Sequence, residues 1–172
     1  MPEIILDGQR KEDTFRFIER WEEAMPGQDV IVPLPLLQEP LPFPTGAGGR
    51  LGVRLEGAEG PEELEGHLDR LALVEVRFPV FTDGRGYTTA RLLREKYAFR
   101  GELRASGDVF RETLYYLSQC GFNAFVLRPG ESIDSALEGL DVFSEGYQST
   151  ALRESPLFRR RLTGNVLPGK ST

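Results

Sequence analysis

The fold is indicated most clearly by Val80–Arg94, a stretch that reads VFTDGRGYTTARLLR. The run before it, Leu71–Phe78, is apolar enough for a buried strand, and Pro79 closes it. Residues 82–86 are polar and glycine-rich, and a helix-forming segment follows from Thr88. This succession predicts one βα unit of an α/β protein, whose strand-to-helix junction is a common place for ligands.

The same pattern occurs four times between residues 49 and 147. Strands are predicted at 51–55, 71–78, 101–105 and 122–127, each followed by a helix, with Asp108 capping the third helix. This alternation predicts a parallel sheet with right-handed crossovers. The second and fourth strands read as continuous apolar runs, which is typical of strands that helices cover on both faces. An open sheet is the default, and a half-barrel that completes itself by forming a homodimer is the alternative.

Residues 1–48 are predicted to form an appendage to this core. Helical spacing of Phe15, Ile18 and Trp21 predicts an N-terminal helix that ends at Pro26. Two prolines in the apolar run Val30–Leu37 favour an edge strand or an extended arm over a central strand. The expected organisation is a single domain: helix and proline-rich arm at 1–48, parallel α/β core at 49–147, and a partly disordered tail at 148–172.

Composition excludes several classes of function. The chain has 172 residues and a net charge of −6, so its surface repels nucleic acid, and the basic cluster Arg159–Arg161 is expected to be solvated. Cys120 is the single cysteine, which rules out an internal disulfide and a four-thiolate cluster. No targeting segment or long apolar span is visible, so a soluble cytoplasmic protein without membrane association is expected.

The candidate site lies where the predicted strands end, because the carboxyl ends of parallel strands share one edge of a sheet. Arginines and free backbone N–H groups there suit a small oxyanion or a phosphorylated ligand. The predicted ligand-binding residues are Gly84, Arg85, Ser106, Gly107 and Arg128. Asp83 and Asp108 are the candidate catalytic, proton-transfer groups. Two structural alternatives stay open: Asp108 as a helix cap only, and Arg85 as the ion-pair partner of Asp83.

Other chemistries are disfavoured by the same residues. A dinucleotide fingerprint at Gly84 and Gly86 would need a third glycine where Thr89 stands. His67 is the single histidine, so no metal site is predicted. Cys120 lies at the end of a predicted helix, where the helix dipole raises the pKa of a thiol, which indicates a core cysteine. The identity of a cofactor stays unknown from these residues.

Several motifs between residues 70 and 128 resemble a bacterial family of uncharacterised proteins. They are Phe78–Gly86, Ala90–Arg94, Gly101–Val109 and Cys120–Phe125. Members of that family are described as oxidoreductases involved in sulfite reduction, and their genes lie beside those of assimilatory sulfite reductase. Asn123 stands where the family pattern leads us to expect an aspartate.

The resemblance implies an oxidoreductase or anion-handling protein of assimilatory sulfite reduction, although the sequence does not decide whether the chain is an enzyme. Sulfite reduction requires haem-type and cluster centres, which a chain with one cysteine cannot hold alone. The expected partner is therefore sulfite reductase or a related enzyme that carries those centres. The alternative is a non-catalytic accessory protein that docks on sulfite reductase through the arm at Val32–Pro44 or through the arginine tail.

Overall fold

The structure is a computed structural model that describes residues 2–42 and 49–142. The predicted C-terminal tail, its cluster Arg159–Arg161 and the last part of the predicted arm lie outside the described residues.

Within the described residues the chain forms strands and helices in the order expected of an α/β protein. The strands are β1 (Glu3–Leu6), β2 (Gln9–Glu12), β3 (Arg16–Phe17), β4 (Val30–Pro33), β5 (Leu51–Glu56), β6 (Leu73–Phe78), β7 (Glu102–Gly107) and β8 (Ala124–Phe125). The helices are α1 (Leu34–Leu37), α2 (Arg85–Glu95), α3 (Arg111–Cys120) and α4 (Ile133–Val142). Short 3₁₀ turns occur at Trp21–Glu23, Pro61–Leu64 and Leu68–Arg70.

All eight strands belong to one sheet, in the order β2-β1-β8-β7-β6-β5-β4-β3. From β3 to β8 each strand is parallel to the next strand in the chain, whereas β1 is antiparallel to both β2 and β8. Strands added always on the same side by crossovers of one hand place their helices on one face of the sheet. The sheet curls into a half-barrel, so of the two predicted arrangements the half-barrel is confirmed.

The two faces of the sheet differ in chemistry. On the helix-covered face, Val74, Val76 and Phe78 of β6 join one large apolar core with residues of α2, α3 and α4. Glu75 and Arg77 of the same strand point the other way, onto what we call the helix-free face. Among residues 2–42 and 49–142, no helix lies on that face, because strands added in one direction place their helices on the other; for this part of the chain the prediction that helices cover both faces of the strand is wrong.

The predicted N-terminal helix is not present. Residues 16–18 instead run beside β4, with hydrogen bonds from the Arg16 N–H to the Asp29 carbonyl and from the Ile18 N–H to the Ile31 carbonyl. Phe15 packs in a small cluster with Ile31 and Leu73, whereas Ile18 is buried in the main core. Phe15 and Ile18, whose spacing predicted one face of a helix, thus lie in two different clusters because this segment pairs with β4 as a strand.

The predicted edge strand or arm is also corrected. Residues 30–33 form β4, which pairs with β3 on one side and with β5 on the other. Pro33 is the last residue of β4 and Pro35 lies in the first turn of α1, so neither proline interrupts the pairing. Leu34, Leu36 and Leu37 are buried. The first part of the predicted arm is therefore packed into the domain.

The helix predicted to follow the strand at 51–55 is replaced by two 3₁₀ turns. Gly66 lies between them with φ at 85°, a backbone conformation that glycine adopts readily and that ends a helix. The helices predicted later in the chain are present, with α2 beginning at Arg85.

Arg94 connects α2 to the segments that directly precede β7 and β8. Its buried guanidinium donates hydrogen bonds to the carbonyls of Gly121, Phe99 and Gly101 and to Oδ1 of Asn123. Asn123 also accepts from the Leu103 N–H at 2.8 Å and donates to Asp7 at 2.9 Å. At this position, where an aspartate was expected, the amide oxygen of the asparagine therefore accepts hydrogen bonds and its nitrogen donates one.

Candidate functional site: an arginine-lined cleft

The helix-free face forms a cleft of about 500 Å³. No residue of α1, α2, α3 or α4 lines it; the walls come from the strands, from the segment between β2 and β3, and from the loop that follows β8. Four arginines and two carboxylates line the cleft: Arg54, Arg77, Arg104, Arg128, Asp13 and Glu75. Arginines thus outnumber carboxylates among the lining residues, in a chain whose net charge is −6, although Glu56, Glu102, Asp108 and Glu131 pair with three of these arginines from outside the lining.

Strand register arranges these side chains in rows. Arg54 of β5, Glu75 of β6 and Arg104 of β7 are direct neighbours across three strands. Two residues further along β6 and β7, towards the carboxyl ends of the strands, Arg77 lies beside Ser106. Because side chains alternate between the faces with a period of two, both rows lie on the helix-free face.

Glu75 occupies the centre of the first row and is nearly fully buried. Its Oε1 accepts a hydrogen bond from Arg54 Nε at 2.9 Å and another from the Ser106 hydroxyl at 2.5 Å. The Arg54 guanidinium also lies 3.7 Å from the centre of the Phe17 ring. Glu75 is therefore held in place by two donors, and it is the carboxylate in the cleft that touches both an arginine and a hydroxyl.

Arg104 is bound to acidic groups of its own. It donates to both carboxylate oxygens of Asp13 at 3.0 Å and approaches Glu102 to 2.7 Å. Burial by itself would lower the pKa of Arg104. The charges and hydrogen bonds of Glu102 and Asp13 have the larger effect, so the pKa is raised and the guanidinium keeps its charge. Burial raises the pKa of Glu102, against the opposing attraction of Arg104. This arginine therefore holds the Asp13 segment on the sheet.

Arg77 and Arg128 are the more exposed cationic groups of the cleft. The Arg77 side chain is 52% exposed, and its ion pair with Glu56 measures 3.6 Å, which is longer than a hydrogen bond. Arg128 is 42% exposed, with ion pairs of 2.9 Å to Asp108 and 3.2 Å to Glu131. A guanidinium has five N–H donors, so both arginines retain donors for an anion.

The predicted site residues divide into two groups. Ser106, Gly107 and Arg128 line the cleft. Asp83, Gly84 and Arg85 do not line it. Arg85 donates from Nε and Nη2 to the two Asp83 oxygens at 3.0 and 2.8 Å, which is the structural alternative considered above. The side-chain and backbone hydrogen bonds from Arg85 lower the pKa of Asp83.

Asp108 does not cap α3, because the N-cap residue of that helix is Phe110. Its carboxylate accepts from the Phe81 N–H at 3.0 Å and from Arg128 at 2.9 Å, and these two bonds lower its pKa. Asp108 thus joins the loop after β6 to Arg128 at the edge of the cleft. Gly107 makes this turn with φ at 90°, where a Cβ atom would meet the carbonyl of Phe78.

Sequence reasoning missed Arg54, Glu75 and Arg77, since it searched the strand ends and not the strands themselves. The signal was present: charged residues alternate with apolar ones in LGVRLE of β5 and in LVEVRF of β6. Such a period of two is typical of strands with one apolar face and one polar face.

Cys120 is fully buried, and burial raises the pKa of its thiol. The direction agrees with the prediction, with burial as the main cause. In the parts of the chain that the structure describes, no group of three or more His, Cys, Asp or Glu side chains is placed to hold a metal ion. None of the helices in those parts is long and apolar enough for a membrane span.

Residues 52–158 match the model of a family described as a bacterial protein of unknown function, DUF934. The chain belongs to this family. A comparison with curated proteins gave no match. The DUF934 region begins within β5 and includes Arg54, Glu75, Arg77 and Arg128 but not Asp13 or Phe17. The family description states no activity, so the implied role in sulfite reduction stays a prediction.

Proposed function

We propose that this DUF934 protein binds a small oxyanion in the cleft on its helix-free face, as an oxidoreductase or anion-handling protein of assimilatory sulfite reduction. A separate reductase in the cytoplasm would supply the metal centres. The observation that carries the proposal is the concentration of Arg54, Arg77 and Arg128 around Ser106, on the helix-free side of an acidic protein.

The chemistry of the cleft supports an anion as ligand. Guanidinium groups bind oxyanions through parallel charge-assisted hydrogen bonds, whereas the Ser106 hydroxyl already donates its one proton to Glu75. Arg77 and Arg128 are the donors nearest to solvent, since Arg104 is nearly fully buried against Asp13 and Glu102. Arg77 is therefore expected to make the first contact with the anion.

Calorimetric titration of sulfite and of inorganic phosphate at low ionic strength tests this site, and Arg77→Gln is the critical variant. We expect it to weaken binding by at least about tenfold, since a hydrogen bond to a charged group contributes roughly 1.5–3 kcal/mol. Arg85→Gln is the matched control. Arg85 is also exposed and paired with one acid, but it lies outside the cleft, so binding should change less than about twofold.

The two variants distinguish the cleft from the loop site. A loss of binding confined to Arg85→Gln would assign the anion-binding site to the loop after β6. An absence of binding heat with the wild-type protein would refute the proposal. The role in sulfite reduction has a test of its own: adding the purified chain to an assimilatory sulfite reductase should change the rate of sulfite consumption, and Arg77→Gln should abolish that change.

The alternative, an accessory protein that docks on sulfite reductase, is favoured by one exposed surface. Phe81 packs edge-on against Phe110 at 5.4 Å between ring centres, and Tyr87 packs against Tyr116 at 4.9 Å. Phe81 is 46% and Tyr116 is 52% exposed, and the Tyr87 hydroxyl bonds the Phe81 carbonyl. Residues 32–37 of the predicted arm are largely buried, so this exposed aromatic surface is the proposed docking site in their place.

Co-purification with sulfite reductase tests this alternative. The double variant Phe81→Ser, Tyr116→Ser should lose the complex while Arg77→Gln keeps it. Full binding by the double variant would exclude this surface. Formation of a homodimer also stays a prediction, and the wholly exposed, charged edge strand β2 disfavours dimerisation by edge pairing.

A further inference from the structure

The cleft is larger than an inorganic oxyanion requires. Water occupies about 30 Å³ per molecule in the liquid, so a volume of about 500 Å³ corresponds to more than a dozen waters. Sites for small organic molecules measure roughly 300–1,000 Å³. A sulfite or phosphate ion at Arg77 and Arg128 would leave most of the cleft to solvent.

The walls of the remaining space combine charged side chains with a set of apolar ones. Phe17 and Ile31 line the cleft on one side, and Val126 and Leu127 line it on the other. Ile31 is fully packed, whereas Phe17, Val126 and Leu127 are partly exposed and therefore available to a ligand. The Phe17 ring already has a guanidinium against one face, which fixes its orientation.

The polar wall and the apolar wall at Phe17 occupy different places, whereas Val126 and Leu127 directly precede Arg128 in the chain. Arg77, Ser106 and Gly107 belong to the last residues of β6 and β7, at the carboxyl ends of the strands. Phe17 and Ile31 are paired with each other across β3 and β4, near the edge of the sheet. A ligand in contact with both walls needs an anionic group at one end and an apolar body at the other.

We propose that the ligand is an organic anion, a compact sulfonate or phosphate group attached to an apolar body that lies against Phe17. This proposal rests on the proposed anion site and assigns the class of molecule that fills it. Arg77 and Arg128 hold the anionic group, and Phe17, Val126 and Leu127 exclude water from the rest of the molecule.

The test compares benzenesulfonate and phenyl phosphate with sulfite and inorganic phosphate by calorimetry. We expect the aromatic anions to bind at least tenfold more tightly, since burial of a phenyl ring removes apolar surface from water. Phe17→Ala should abolish most of this advantage and leave the affinity for inorganic phosphate within about twofold. Phe17→Leu, which keeps an apolar side chain against Arg54, should retain part of the advantage.

The outcomes separate this proposal from the anion site itself. If the aromatic anions bind no more tightly than the inorganic ions, while all of them depend on Arg77, the organic ligand is refuted and the anion site stands. If Phe17→Ala keeps its thermal unfolding transition and the full advantage, the apolar end of the ligand does not lie against Phe17, and the proposal is likewise refuted. If no anion binds, both proposals fail.

Discussion

The two faces of the central strands perform different tasks with adjacent residues. On β7, Leu103 is fully buried beneath the helices, whereas the next residue, Arg104, is equally buried against acidic groups on the helix-free face. One face is stabilised by apolar contact and the other by a network of charges. Equal burial therefore does not imply equal chemistry, because the free energy of a buried charge depends on its charged partners and on pH, whereas that of a buried leucine is independent of pH.

The largest loss of folding stability that distinguishes the two faces is expected from Arg104→Met. The substitution leaves Asp13 and Glu102 without their shared cation, and removing one partner of a buried ion pair costs about 3–5 kcal/mol. Urea denaturation monitored by circular dichroism measures the loss. Arg77→Met, on the same face but half-exposed, is the control and should change stability by less than about 0.5 kcal/mol.

The loss in Arg104→Met should also depend on pH. Burial already raises the pKa of Glu102 above its ordinary 4.5, and without Arg104 it rises further. A carboxyl with a raised folded pKa lowers stability as pH rises from the unfolded value through the folded one. The deficit should therefore be larger at pH 7 than at pH 5. Equal deficits at both values would mean that Glu102 is not coupled to Arg104.

A smaller and pH-independent loss is expected from Leu103→Ala. Truncating a fully buried leucine leaves a cavity in the helix-covered core and costs about 3 kcal/mol. The same denaturation experiment at pH 5 and pH 7 should give the same deficit, because no ionisable group of the substituted side chain is lost. A deficit that changes with pH would show that the two faces of β7 are energetically coupled.

The smallest effect concerns binding. Glu75→Gln keeps an acceptor for Arg54 and Ser106 but removes a negative charge from the cleft. Phosphate or sulfite should bind about fivefold more tightly, since the lost repulsion is about 1 kcal/mol. Asp83→Asn, outside the cleft, is the control and should change affinity less than about twofold. Weaker binding in Glu75→Gln would indicate that the carboxylate itself contacts the ligand.

Part of this site could be predicted because it follows from chain order alone. Parallel strands end at one edge, and Ser106, Gly107 and Arg128 do lie together along the cleft. Asp83 and Arg85 are near the same edge, but their pairing depends on the conformation of one turn, which the sequence does not specify. Arg54 and Glu75 come together only through strand register, 21 residues apart in the chain.

The sequence by itself determined the alternation of strands and helices from β6 onward, because local apolar periodicity and glycine turns are sufficient to specify it there. Only the tertiary structure decided that strands β3 to β8 add in one direction, that residues 16–18 pair with β4 instead of forming a helix, and that the helices of the described residues leave one face of the sheet uncovered. These features depend on which distant segments share hydrogen bonds and burial, and no local pattern of residues contains that information.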